Sequence, residues 1–272
     1  MTLSEAIRLL DEAGIDSPAN DAREIFGEIG GIPPHLLALR DTKCDSPAVL
    51  DAVRRRAKGE PLQYIIGRVG FYREEYTVSP DCLIPREDTE ILVDLAVKSL
   101  PIGGRFIDLC TGSGCIAIST LKNTKETTAV AVDVSEAALS LARKNAEDNQ
   151  VSDRLSLIKL DLLNEGGELP RHGFDAVLSN PPYVSEEEYE ALARELFHEP
   201  RIALSDGGDG SLFYRTLVPI AVELIRNDGF IAMEIGSGQA ELLLGLAKEN
   251  SLSCKIIKDF SGKDRVALLK KE

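Results

Sequence analysis

Apolar residues recur along this chain in two rhythms, and the rhythm changes near residue 63. Before that point they return every three or four positions, as on amphipathic helices. Thr2 and Glu5 have the spacing of a capping box, Ile7, Leu9 and Leu10 supply apolar positions, and Gly14 stops the helix. A second helix is expected over 21–29, closed by Gly30 and Gly31. Pro33-Pro34 opens a third short segment over 35–40, and a fourth helix over 47–58 ends in the basic run Arg54-Arg55-Arg56. Residues 1–62 therefore read as a small all-α domain, a partner-docking or lid module, with a plain stabilising cap as the alternative. Residues 63–84 turn β-like: Tyr64-Ile65-Ile66-Gly67, Phe71-Tyr72 and Tyr76-Thr77-Val78 predict a β-hairpin linker to a second domain, 85–272. Pro85 and the acids Glu87, Asp88 and Glu90 lead into a helix over 91–100.

Beyond Pro101, short apolar runs alternate with helical patterns. Strands are expected at 105–109, 128–132, 155–160, 174–179, 230–235, 254–260 and 265–269, and helices after Gly114 and over 135–149, 186–197, 211–226 and 239–248. This alternation predicts an α/β fold with a doubly wound, mainly parallel seven-stranded sheet. The last two strands are separated only by Ser261-Gly262-Lys263-Asp264, too short for a crossover, so the final strand must be antiparallel to its predecessor.

Two loops at strand ends carry candidate chemistry. The strand 174–179 runs into Asn180-Pro181-Pro182-Tyr183. An Asn side-chain oxygen accepts one N–H of a flat NH2 group, and a neighbouring backbone carbonyl accepts the other. The prolines stiffen the loop, and the Tyr ring suits stacking on an amide or a base. The plain alternative, a Pro-Pro strand terminator with Tyr183 filling a gap, is weakened by a polar Asn at a sheet edge where open α/β sheets bind ligands. Upstream, Asp108-Leu109-Cys110-Thr111-Gly112-Ser113-Gly114 closes the strand 105–109. Gly112 and Gly114 permit a tight turn and close approach of a ligand to the backbone. Asp133, 25 residues after Asp108, ends the next strand and suits a ribose diol. Asp161, followed by Leu162, ends the third and suits an adenine amino group, although either acid alone would serve equally as a helix cap. The spacing Gly112-x-Gly114-x-x-Ala117 also satisfies a dinucleotide fingerprint, so a nicotinamide oxidoreductase stays open. S-adenosylmethionine gives every piece a role, whereas a nicotinamide leaves the Asn-Pro-Pro-Tyr loop without one.

Composition narrows the partners. The net charge is −14; residues 1–75 hold thirteen acids and ten bases, leaving −11 on the other 197. Such acidity disfavours a general duplex-DNA binder, which needs Lys and Arg on phosphate, and fits a basic protein partner or a small cationic cofactor. Five irregularly spaced cysteines and three scattered histidines form no metal-ligand pattern. The start, TLSEAIRLL, reads as an amphipathic helix rather than a signal peptide, and no apolar run approaches membrane-spanning length. A cytoplasmic monomer with no membrane contact is the expectation.

The chain resembles the protein-(glutamine-N5) methyltransferases that modify peptide chain release factors, often called HemK or PrmC. The resemblance is carried by Glu60-Pro61-Leu62-Gln63-Tyr64-Ile65-Ile66-Gly67, Ile84-Pro85-Arg86-Glu87-Asp88-Thr89-Glu90, Thr111–Gly114 and Ser179–Val184. It continues in Glu199-Pro200, Gly207–Gly210, Phe213-Tyr214-Arg215, Met233-Glu234-Ile235-Gly236 and Asp264-Arg265-Val266. It implies the class I S-adenosylmethionine methyltransferase fold and a substrate, the Gln of the Gly-Gly-Gln motif in class-1 release factors, with no direct nucleic-acid substrate. Asn180, Pro181, Pro182 and Tyr183 become catalytic and substrate-binding candidates. Asp108, Cys110, Thr111, Gly112, Ser113, Gly114, Asp133, Asp161, Leu162 and Asn180 become cofactor candidates. Arg86 and Thr89, with Asp88, would frame the site mouth, and Glu199 would support the substrate loop. Two positions depart from the family: Cys110 replaces a usual Gly, tolerable if its backbone angles are ordinary, and Leu162 replaces a frequent aromatic. Asn-Pro-Pro-Tyr is shared with adenine-N6 methyltransferases of DNA or RNA, which remain the alternative, but those need base extrusion and a basic channel. A non-catalytic release-factor binder would have no need of that loop.

Overall fold

The computed structural model describes residues 1–38 and 42–272, which fall into two compact units: 1–68 with 193–198, and 69–192 with 199–272. In the first unit, α1 (Leu3–Glu12) begins with the expected box: Glu5 N donates to Thr2 Oγ1 at 3.2 Å and Thr2 N to Glu5 Oε2 at 2.7 Å. Then come α2 (Pro18–Glu24), a wider π-helical turn (Ile25–Ile29), α3 (Pro34–Leu37), α4 (Pro47–Ala57) and α5 (Leu62–Ile66). The tail of the segment expected over 35–40 lies outside the described residues. Leu3, Leu10, Ile25, Phe26, Val49 and Val53 form the unit's core, each worth roughly 1.5–3 kcal/mol on burial.

The residues around Tyr64, expected as a hairpin strand, are helical. Pro61 O accepts from Tyr64 N and Ile65 N at 3.1 and 3.2 Å, and Gly67 at φ 84° closes the turn on Gln63 O. Proline pre-sets the entry and glycine the exit, which outweighs the β propensity of Ile65 and Ile66. The hairpin itself is short, β1 (Arg68–Phe71) and β2 (Glu74–Thr77). The helix expected over 186–197 is also divided. The capping box of Ser185 and Glu188 starts one short helix, and residues Arg194–His198 form a 3-10 turn belonging to the first unit. There Glu195 meets the buried Arg56 at 2.6 Å, and Arg56 also binds Asp21 at 2.7 Å.

In the second unit, a 3-10 turn (Glu87–Thr89) leads into α6 (Glu90–Ser99). The sheet strands are β3 (Arg105–Leu109), β4 (Thr128–Asp133), β5 (Leu155–Lys159), β6 (Phe174–Ser179), β7 (Ile225–Glu234), β8 (Leu252–Lys258) and β9 (Asp264–Lys271). Between them run α7 (Cys115–Asn123), α8 (Glu136–Asp148), α9 (Leu162–Glu165), α10 (Glu186–Glu190), α11 (Arg201–Leu204), α12 (Leu212–Leu224) and α13 (Ala240–Glu249). The sheet order is β5-β4-β3-β6-β7-β9-β8, parallel except for β9, which is antiparallel to both neighbours. The short turn after β8 is closed by Asp259 Oδ1, which accepts from Ser261 N, Ser261 Oγ and Lys263 N. Strand alternation divides the core. Ile107, Leu109, Val130 and Val132 pack with α12 and α13 residues on one face. Phe106, Ala129 and Ala131 pack with residues of α6, α7 and α8 on the other.

Strand β7 starts five residues earlier than expected, because Arg226-Asn227-Asp228 hides its β character. Arg226 is held by Asp175 Oδ1 at 2.7 Å, and the register with β6 shifts there. The chain leaves β3 for β4 and β5 on one side and returns through β6 and β7 on the other. The switch point therefore lies between β3 and β6, whose carboxyl ends carry Cys110 and Asn180.

Candidate active site

A cavity of about 270 Å³ opens at that switch point. Its walls come from the loop after β3, the acids after β4 and β5, Asn180 and Pro182 after β6, and the segments around Pro85, Ile202 and Phe213.

The loop after β3 makes three left-handed residues in five: Cys110 at φ 61°, Gly112 at 55° and Gly114 at 81°. The condition on which Cys110 is tolerable, ordinary backbone angles, is not met: the cysteine stands in the left-handed conformation that glycine favours. A Cβ on Gly112 would meet nothing within 4 Å, so its backbone faces open space. On Gly114 a Cβ would come within 2.9 Å of Ile118 Cδ1 and 3.1 Å of Ala142 Cβ, so that glycine lets α7 and α8 pack closely.

Acids hold the loop. Asp133 Oδ2 accepts Gly112 N at 2.8 Å and Oδ1 accepts Ser135 N at 2.9 Å, clipping the glycine turn to the end of β4. Burial raises its pKa against these two N–H groups. Asp161 caps α9 through Leu163 N at 3.0 Å and takes Asn164 Nδ2 at 2.7 Å; the Asn164 amide lowers its pKa. Both acids line the cavity, Asp161 while capping α9 and Asp133 while holding the glycine turn; the cap of α8 is Ser135, not Asp133. Cys110, Thr111, Ser113 and Leu162 line it too. Asp108 and Gly114 do not form part of the wall. Fully buried Asp108 instead accepts the Thr111 hydroxyl at 2.6 Å, and burial pushes its carboxyl up to about 7.

Asn180 is placed beside this loop by backbone pairing: Ser179 Oγ donates to Leu109 O at 2.8 Å, locking the ends of β6 and β3 together. Its Nδ2 donates to Thr89 Oγ1 at 3.2 Å, and Thr89 donates to Glu234 Oε2 at 2.5 Å. Tyr183 donates to the other oxygen of Glu234 at 3.3 Å. Pro181 and Tyr183 are not part of the cavity wall, and the Tyr183 hydroxyl is committed to Glu234 rather than to a ligand. Burial raises the pKa of both Tyr183 and Glu234.

Arg86 and Glu199 pair with each other, and the buried Glu199 also accepts Ile84 N at 3.0 Å. They stand outside the wall but tie together the segments that contribute Pro85 and Pro200 to it. Asp88 pairs with Arg265 at 2.9 Å. Two residues that carried no assigned role are central. Glu234 anchors Thr89 and Tyr183, and Gln239 Nε2 donates to Tyr183 O at 3.0 Å and Gly210 O at 3.2 Å. A Cβ on Gly210 would lie 2.5 Å from Tyr183 O, so the glycine turn at 207–210 closes directly on the Asn-Pro-Pro-Tyr loop. Strand position gave a signal for Glu234, a carboxylate at the carboxyl end of β7; nothing local marks Gln239.

A family model described as the PrmC N-terminal domain matches residues 2–67, and one described as the methyltransferase small domain matches 87–225. A release factor glutamine methyltransferase of Geobacter sulfurreducens is 36% identical over 263 residues, covering 94% of this chain and 91% of that one. This chain belongs to the release factor glutamine methyltransferase family. The family's protein from Thermodesulfovibrio yellowstonii is 39% identical over 225 residues, 80% of this chain and 79% of its own length. Among solved structures, a ribosomal protein L11 methylase of Lactobacillus delbrueckii superposes with a TM-score of 0.51 at 18% identity, over 69% of this chain and 80% of that one. That likeness concerns fold alone, and the seven-stranded sheet with its antiparallel β9 is the class I methyltransferase arrangement. Family membership removes the nicotinamide oxidoreductase from consideration.

Proposed function

We propose that this chain transfers a methyl group from S-adenosylmethionine to the side-chain amide nitrogen of a release-factor glutamine, the Gln of the Gly-Gly-Gln motif in class-1 factors. The observation that carries the reading is the placement of Asn180 on the cavity wall, against a glycine loop braced by Asp133.

The cavity residues fit this cofactor. The open side of Gly112 admits a ligand against the backbone, Asp133 and Asp161 supply acceptors for a diol and an amino group, and Leu162 and Phe213 give apolar surface to a flat ring. Nearby carboxylates also favour a cation. When bound, S-adenosylmethionine supplies an electrophilic methyl group on a sulfonium. Asn180 Oδ1 and the Pro181 carbonyl accept the two N–H groups of the glutamine amide and fix its plane. An amide nitrogen is a weak nucleophile because its lone pair is delocalised, so positioning is the main contribution, up to ~7–11 kcal/mol in favourable cases. Acceptors that tighten as positive charge grows on nitrogen add to it. The extra proton leaves to water after transfer, so the chain needs no general base. Arg86 and Glu199 support the site mouth rather than touching the amide.

The test is methyl transfer from labelled S-adenosylmethionine to a purified class-1 release factor, with duplex DNA in parallel, followed by peptide mass spectrometry. A methyl group on the Gly-Gly-Gln glutamine is expected. Label on DNA adenine would replace this reading with the adenine-N6 alternative.

A further inference from the structure

A side-chain amide has two faces that differ only in which end carries the hydrogens. For Asn180 the difference decides the chemistry: an oxygen turned to the cavity accepts a substrate N–H, whereas an NH2 group there would repel one. The structure contains a device that chooses. Glu234 is 1% exposed at the carboxyl end of β7, with one carboxylate oxygen toward Thr89 and the other toward Tyr183. An ionised carboxylate only accepts, so the single proton of the Thr89 hydroxyl is committed to it at 2.5 Å. What remains on Thr89 Oγ1 is lone pairs, and these can only accept. Asn180 must then turn Nδ2 to Thr89, at 3.2 Å, which leaves Oδ1 as the arm free for a ligand in the cavity it lines. Burial raises the pKa of Glu234, while the Thr89 hydroxyl and the charge of Arg265 oppose that rise and favour the ionised form this polarity needs, and the Tyr183 hydroxyl satisfies its second oxygen.

We propose that Glu234 is a positioning residue which, through the Thr89 hydroxyl, fixes the Asn180 amide with its oxygen toward the substrate and so makes the site select an amide over a carboxylate. The inference rests on the function proposed above and extends it to substrate choice. With the lock in place, Asn180 Oδ1 and the Pro181 carbonyl face two N–H groups of a glutamine but would face two oxygens of a glutamate. Without it, Asn180 rotates and offers NH2, which a glutamate side chain accepts.

The test uses the full chain with two release-factor peptides differing only in Gln or Glu at the methylated position. Thr89→Val removes the hydroxyl at nearly constant shape, Thr89→Ser restores it, and Glu234→Leu removes the anchor. Folding is checked by thermal unfolding, and if Glu234→Leu does not fold the Thr89 pair carries the test. In Thr89→Val, kcat is expected to fall about tenfold or more, the scale of one misdirected hydrogen bond. The preference for the Gln over the Glu peptide in competition binding should fall with it, while S-adenosylmethionine affinity is unchanged and Thr89→Ser recovers both losses. Unchanged Gln-over-Glu preference in folded Thr89→Val, or equal losses in Thr89→Ser and Thr89→Val, would overturn the lock while leaving the proposed function standing. Failure of the wild type to methylate the Gln peptide would overturn the function and the lock together.

Discussion

Cys110 shows how much one residue can reveal and conceal. Its left-handed φ of 61° is a property of the loop, not of cysteine, and relieving it should help. Cys110→Gly is expected to stabilise the chain by about 0.5 kcal/mol, the relief of left-handed strain being partly offset by glycine's freedom when unfolded. Cys110→Val, with a branched Cβ, should cost about 1–3 kcal/mol. Chemical denaturation of both variants measures the difference, and equal stabilities would contradict the backbone account. Asp108 makes a second prediction, on pH. Its carboxyl is pushed from 3.8 up to about 7 by burial, so the folded chain keeps a proton that the unfolded chain has lost. Stability from this group is therefore undiminished below the unfolded value, falls as pH rises through the window to about 7, and levels off above it. Asp108→Asn should remove that slope, roughly a few kcal/mol across the window; parallel pH–melting profiles of the two proteins decide it. The candidate acids Asp108, Asp133 and Asp161 could all be found from sequence because strand ends can be counted. That Asp108 braces Thr111 while only the other two reach the cavity depended on which way each side chain turns.

Elements were legible where local signals agreed and were misread where distant partners decided. The capping box of α1, the positions of the sheet strands apart from the start of β7, and the antiparallel β9 follow from residues adjacent in sequence. Helix α5 was misread as a strand because three β-leaning residues outweighed Pro61 and Gly67 in a pattern only five residues long. The helix expected over 186–197 divides because Glu195 is paired with Arg56, 139 residues away, a contact no local pattern contains. Removing Arg56 tests that explanation. Arg56→Leu leaves the buried Asp21 carboxylate without its cation and should cost about 3–5 kcal/mol. It should also release residues 194–198, visible as faster amide exchange there. Unchanged exchange would mean that the turn holds itself.

At the scale of the whole molecule, charge and the functional centre are separate matters. The net −14 arises from residues spread along the chain, and neither Asn180 nor Thr89 bears a charge. Acidity should therefore act on encounter rather than on the methyl-transfer step. With a basic protein substrate, kcat/KM is expected to fall about tenfold between roughly 0.05 and 0.5 M salt, while kcat at saturation changes little. A salt-independent kcat/KM would deny steering any part. The change of rhythm along the chain and the glycine loop at the end of β3 are local patterns, visible in the sequence. The hydrogen-bond chain from Asn180 through Thr89 to Glu234 is not, because it joins residues 91 and 145 positions apart.

The central claim is that Asn180 holds the amide for transfer, and the most direct measurement is the single-turnover rate of Asn180→Ala on a release factor, with S-adenosylmethionine affinity measured on the same preparation. The account predicts a rate about 100-fold or more below wild type at S-adenosylmethionine concentrations that saturate the variant. A folded variant that binds the cofactor and transfers methyl at the wild-type rate would contradict it.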